Sequence, residues 1–304
     1  MRRTYVRRGE DGEADSIRTA PERPPEWPTQ KWNVPATVAT GAAALTGLGA
    51  LWGGLRAAES GAGGESRFFV ILAVLMLLTA LFGAVYWWPE RREPKVRYTE
   101  TSGRGTTEVQ ARTAVFLLLV AMVGCAAALS LGAAVEVLVT NGGVPLVSVV
   151  LATLGSVCVV FLGEVALGRI RAGALTLGPD GIRHRGWFVE SYLPWVSVAR
   201  LRAVHHGYPE MWVEGTETAA WARRRTSKIF RLESIPASPR IVVDSRRFDI
   251  DASLLYRVLE LYVGRPDMRA ELGTPDAATR VRSGDLAAPE KKDGSDGGHR
   301  HPVS

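Results

Sequence analysis

The chain has 304 residues, 46% of them hydrophobic, and a formal charge of +6 at pH 7. Apolar residues concentrate between about residues 34 and 168 while both ends are polar, which excludes a single water-soluble globule and argues for a membrane module with soluble flanks. Two cysteines, Cys125 and Cys158, both within apolar runs, exclude a disulfide framework and a CxxC metal or redox motif.

Residues 1–33 mix Arg, Asp and Glu with Pro21, Pro24, Pro25 and Pro28, a composition expected to remain a disordered cytoplasmic arm. The arm has no apolar core of the kind a cleavable signal peptide needs, so the first internal helix is expected to act as the insertion signal. Trp27 and Trp32 stand just ahead of the first apolar run and are expected at the membrane interface, where aromatic side chains collect.

Four transmembrane helices are expected, at about 34–55, 68–88, 113–139 and 144–168. The first is the least hydrophobic and is rich in Ala, Gly and Thr. Its Gly49 and Gly53 have the small-xxx-small spacing that lets helices approach closely. The second ends in Tyr86, Trp87 and Trp88, an aromatic cluster suited to an interfacial belt. A polar loop, residues 89–112, leads to the third, and only TNGG separates the third from the fourth.

Lys and Arg distribution sets the orientation. The arm carries Arg2, Arg3, Arg7, Arg8, Arg18, Arg23 and Lys31, and the loop between the second and third spans carries Arg91, Arg92, Lys95, Arg97, Arg104 and Arg112. The loop between the first two spans has only Arg56 and Arg67, and TNGG has none. Both termini are therefore expected in the cytoplasm of a bacterial inner membrane.

Beyond residue 168 the hydrophobic period changes. ALTLGPDGIRHRG reads as strand, turn and strand, with turn chemistry at Pro179-Asp180-Gly181. Strand-like runs continue through WFVESYLPWVSVARLRAV, EMWVEG, KIFRLESI and RIVVDSRRFDI. DASLLYRVLELYV then places Leu254, Leu255, Val258, Leu259 and Tyr262 on one helical face, with Asp251 or Ser253 as the cap. This predicts an α+β domain over residues 169–273, followed by a disordered tail, 274–304.

The segment LTLGPDGIRHRGWFVESYLPWVSVARL, with its Pro179-Asp180-Gly181 turn and Pro194-Trp195 pair, resembles the opening of bacterial PH-like domains found in membrane proteins. LLYRVLELYVGRPDMRAELG is similar to their closing helix. The resemblance implies a partly open antiparallel barrel of about seven strands closed by a C-terminal helix. It also implies binding or assembly work and no catalytic residues.

The densest basic run is Trp221, Arg223, Arg224 and Arg225, followed by Lys228 and Arg231. It reads as a loop held near the membrane, where each basic residue gains ~1 kcal/mol from anionic lipid. Trp221, Arg223, Arg224, Arg225 and Lys228 are thus the candidate anionic-lipid contacts. The Pro179-Asp180-Gly181 turn carries no cation, a departure from phosphoinositide-binding PH domains.

Glu136 and Glu164 are the carboxylates inside the spans. Both fall about one turn from a helix end, and Arg169 and Arg171 stand near enough to neutralise Glu164. Adjacent strand residues point to opposite faces, so His205 and His206 do not converge on one ion, and His299 and His301 are too few for a metal site. No nucleic-acid, hydrolase, metalloprotease or nucleotide-binding motif occurs in a suitable context.

The expected function is that of a non-enzymatic membrane protein, without cofactor. Its partners are the bilayer, a protein at the cytoplasmic face or anionic lipid, and no nucleic acid. A small transporter or channel regulated by its soluble domain and a membrane enzyme with an unrecognised site stay open as alternatives. One prediction tests the topology. A cysteine at Asn141 should react with a membrane-impermeant maleimide from outside the cell; protection at that position would reverse the orientation.

Overall fold

The computed structural model describes residues 23–28, 33–88, 94–99, 105–140, 145–233 and 235–286. Four helices are long and apolar enough to cross a membrane: α1 (Val34–Glu59), α2 (Gly63–Trp87), α3 (Thr113–Thr140) and α4 (Pro145–Ala166). The chain is a multi-pass membrane protein by this measure. The most apolar 18-residue window of α1 has a mean hydropathy of 1.4, against 2.8, 2.6 and 2.5 for the others, so α1 depends most on helix contacts. Asn33 caps it, its Oδ1 accepting from the Ala36 amide at 3.2 Å.

The helices pack in series, α1 on α2, α2 on α3 and α3 on α4. The buried stripe of α1 is Gly47, Ala50, Gly54 and Ala57. A Cβ at Gly47 would lie 2.9 Å from Leu77, whereas Gly49 faces open space. The expected Gly49–Gly53 contact is thus half wrong: Gly53 only brushes Phe69, and the close approach runs along the 47–50–54–57 stripe, because Gly49 lies about 200° around the helix from Gly47. Ser66 adds a cross-helix hydrogen bond to the Gly54 carbonyl at 3.0 Å.

The remaining strands form two open antiparallel sheets rather than a barrel. The first has six strands in the order β1-β2-β3-β4-β5-β8: Val96–Thr99, Thr106–Gln110, Ala174–Gly178, Gly181–Arg185, Val189–Pro194 and Ala222–Arg225. The second has three, β6 (Val198–His205), β7 (Pro209–Gly215) and β9 (Arg240–Asp244). Alternation places Leu175, Leu177, Ile182 and Leu193 in the core, opposite Met211, Val213, Ile241 and Val243 from the other sheet. Helix α5 (Ala252–Gly264) covers them with Leu255, Val258, Leu259 and Tyr262, and Asp251 caps it through the Ser253 and Leu254 amides.

Several elements differ from the sequence reading. The polar loop between the second and third spans carries β1 and β2, and β2 pairs with β3 from beyond α4, so the domain is assembled from separate stretches of chain. KIFRLESI has no strand among its described residues; its Ser, Lys and Arg positions interrupt any apolar alternation. The beginning of the expected tail folds as α6 (Pro275–Ser283), which buries Ala277, Ala278 and Val281. Residues 287–304 lie outside the described residues.

Trp27 is not at the membrane interface. It is 3% exposed within the domain core, its indole nitrogen donates to the Val204 carbonyl at 3.0 Å, and its ring packs edge-on against Tyr256. The chain ahead of α1 and the domain after α4 therefore share one end of the helices. Trp32 lies outside the described residues.

The same end is locked by Arg112, the residue before α3. Its guanidinium donates to the Val85 carbonyl in the last turn of α2 (3.1 Å) and to the Phe248 carbonyl (3.0 Å), and it pairs with Asp249 (2.8 Å). Nearby, Arg246 stacks on Tyr86 and Trp87 of α2 and on Tyr208. Tyr86 and Trp87 of the expected aromatic belt thus meet the domain itself.

Replacing Trp27 with Ala should remove about 3–5 kcal/mol of stability, the usual effect of emptying a core aromatic site. Thermal unfolding of the detergent-solubilised protein should show a clear drop in midpoint. An unchanged midpoint would mean that the arm is not docked.

Candidate anion-binding face at the membrane interface

A second apolar cluster joins the helices to the domain. Phe116 of α3 and Phe161 of α4 bury against Ile170, Phe188 and Val189, with Trp187 and Phe230 at the margin. The Phe230 ring lies 5.4 Å from that of Phe161. Phe161 is five residues before the end of α4, which at 1.5 Å per residue puts it about 7.5 Å inside the span. The loop carrying Phe230 thus reaches alongside the helix, and its neighbours Ile229 and Leu232 are 60% and 74% exposed.

This loop is held at its end by Glu233. The carboxylate accepts from the amides of Trp187, Phe188 and Val189 and from Arg247 at 2.5 Å. Burial raises the Glu233 pKa, but the Arg247 charge and the amide hydrogen bonds outweigh it and hold the carboxyl below its ordinary range. The loop is therefore a positioned element of the fold.

Beside it lies a basic pocket. Strand alternation turns Ile182 and His184 of β4 inward and Arg183 and Arg185 outward. Cross-strand register then aligns Arg185 with Glu190 and Glu190 with Arg224 on one face. At the end of α4 the chain turns through Gly168, whose φ of +68° favours glycine and where a Cβ would overlap the Arg171 guanidinium. The result is a pocket of about 310 Å³ lined by Gly168, Arg169, Arg171, Arg185, Arg224, Arg225 and Thr226.

Five arginines and no carboxylate line this pocket among the described residues. Two are partly neutralised from outside it: Arg169 by Glu164 at 2.5 Å and Arg224 by Glu190 at 2.8 Å. Burial pushes the Glu190 pKa up, yet Arg224, with Arg183 and Arg185, keeps it below the usual carboxylate range. Arg225 donates to the Glu233 carbonyl at 3.3 Å. The Nε of Arg185 is buried with no hydrogen-bond partner among the described residues, a state that costs about 1–3 kcal/mol when left unmade. Arg169 and Arg171 also follow the C-terminus of α4, where positive charge complements the helix dipole.

The residues singled out from sequence divide into three groups. Arg224 and Arg225 line the pocket, and they lie on strand β8, not in a loop; the edge of β5 supplies the hydrogen-bonding partner that a run of arginines lacks by itself. Trp221 is half-buried against the domain core with Arg223 stacked over it at 4.8 Å, and Arg223 also donates to the Pro236 carbonyl. Lys228 is exposed on the loop beside Ile229. Sequence reasoning missed Arg185 and gave Arg171 a different task; the Arg183-His184-Arg185 alternation was the available signal.

Glu164 is buried and paired with Arg169, as expected from spacing. Glu136 is exposed beside Gly64 in the first turn of α2, at the opposite end of the helices. His206 packs on Trp212 and meets Glu210 at 3.2 Å, while His205 is exposed at the end of β6. His299 and His301 lie outside the described residues. No family of proteins, curated protein or solved structure matches the chain.

Beneath the arginine face, burial lowers the His184 pKa from 6.5 to about 4. The unfolded state thus takes up the proton first, so His184 leaves stability unchanged above about pH 6.5 and lowers it progressively as pH falls toward about 4. The full effect is on the order of 3 kcal/mol. His184→Gln should flatten the pH dependence of the denaturation midpoint between pH 7 and 5; an unaltered slope would exclude His184 as its source.

Proposed function

We propose that this chain is a non-enzymatic protein of a bacterial inner membrane whose PH-like domain works at the cytoplasmic face by engaging the anionic membrane surface. The observation that carries this reading is the junction of two features at the end of α4. A loop with exposed Ile229 and Leu232 runs beside the span, and the arginine-lined edge adjoins it. Apolar side chains next to cations suit an interfacial layer, where hydrocarbon and anionic headgroups meet. The excess of Lys and Arg in the arm and in the loop between α2 and α3 supports the cytoplasmic assignment.

The PH-like reading draws support from the two antiparallel sheets, the Pro194-Trp195 pair that opens into β6 and the closing helix α5. The open sheets and the extra hairpin β1–β2 depart from a seven-stranded barrel. In this role the domain is a platform seated on the leaflet, with the β6-β7-β9 sheet and α5 turned to assembly rather than catalysis.

Hydrogen–deuterium exchange of the full chain in nanodiscs provides the test. Amides of residues 222–233 should exchange more slowly in discs containing phosphatidylglycerol than in discs of phosphatidylcholine alone, and high salt should reduce the difference. Equal exchange in both lipids would sink the proposal.

A further inference from the structure

We infer that the pocket at the end of α4 is a binding site for a phosphate group, and that its occupant is the headgroup phosphate of an anionic lipid in the adjacent leaflet. The inference rests on the surface-binding reading and narrows it from a basic face to one defined site. Three observations carry it.

The first is the donor set. Arg169, Arg171, Arg185, Arg224 and Arg225 converge from α4's exit, β4 and β8, and no carboxylate lines the cavity among the described residues. Guanidinium forks match phosphate oxygens in pairs, which ammonium groups do not. The second is register: cross-strand pairing holds Arg185 and Arg224 on one face, with Glu190 between them, and the Arg185 Nη2 reaches the Gly168 carbonyl only at 3.5 Å, the outer limit of a hydrogen bond. Donors held in place and weakly matched by the chain suit an acceptor from outside it. The third is position. Gly168 lies two residues beyond the last residue of α4, so the cavity opens at the level of the headgroups. Its volume of about 310 Å³ is at the small end of ligand pockets.

A soluble phosphate would satisfy the same donors, so the test separates the two sources. Full-length protein in detergent is examined by native mass spectrometry after exposure to phosphatidylglycerol, phosphatidylcholine or inorganic phosphate. The wild type should retain phosphatidylglycerol over phosphatidylcholine. The R171A/R185A variant should lose that retention by about ten-fold or more, the loss of one good charge-assisted contact. R200A/R202A, on strand β6 and outside the pocket, should retain it. Should the double variant fail to fold, Arg171→Ala alone, at an exposed side chain, carries the test.

Equal retention of the two lipids by the wild type, or unchanged retention in R171A/R185A, would overturn the site. Retention of inorganic phosphate without phosphatidylglycerol would keep the phosphate site and remove its lipid occupant. Nanodisc exchange keeps this result distinct from the broader reading. If phosphatidylglycerol still slows exchange at 222–233 in R171A/R185A and retention is unchanged, the site falls and the surface role stands. If exchange is insensitive to lipid in the wild type but retention behaves as expected, the site stands and the surface role falls.

Discussion

Burial of one guanidinium governs how the two halves of this molecule meet. Arg112 is 6% exposed, and a charge so far from water is tolerated only when its donors are satisfied. They are satisfied from two directions: by the last turn of α2 and by the segment that follows β9. The Arg112 amide also donates to the Arg247 carbonyl, and Ala111 bridges to Phe248. Neither the helices nor the domain can shift at this point without stranding the charge. The domain is consequently fixed against the helix ends instead of hanging on a linker.

The position of the arginine pocket follows from that constraint. Once β2 enters α3 through Arg112 and pairs with β3 after α4, the sheet is tied to the helices at both strands. Its far edge, β5 and β8, then falls beside the exit of α4. Phe116, Phe161, Phe188 and Phe230 fill the seam there. The apolar seam supplies adhesion, while the Glu233 carboxylate and Arg247 orient the loop. Arginines that belong to three different elements thereby come to face one cavity. Their mutual repulsion is eased by Glu164 and Glu190 behind them, which leaves the cavity itself strongly positive.

Parts of this were plain in the residues. The four spans were legible because hydropathy over about twenty residues is a local property. The β3–β4 turn and α5 were legible for the same reason, through turn chemistry and helical periodicity. The hairpin β1–β2 was not: its strands are short, polar on one side and stabilised by β3, more than sixty residues away in the chain. Trp27 misled because an aromatic residue just before a span fits an interfacial belt equally well, and only the docking of the arm against Tyr256 and Val204 distinguishes the two. Arg223, Arg224 and Arg225 stood out by composition, but only the packed domain shows that Arg224 and Arg225 line the pocket while Arg223 stacks on Trp221.

By itself the sequence determined that the chain crosses a membrane, how many times it does so, and that an antiparallel domain with a closing helix follows the last crossing. These depend on patterns within a single segment, where neighbouring residues carry the whole signal. Only the tertiary structure decided that the arm and the inter-span hairpin belong to that domain, and that arginines from α4's exit, β4 and β8 share one pocket. Those outcomes depend on long-range pairing and burial, because a strand edge, a core vacancy for Trp27 or a cluster of cations exists only once distant segments have packed together.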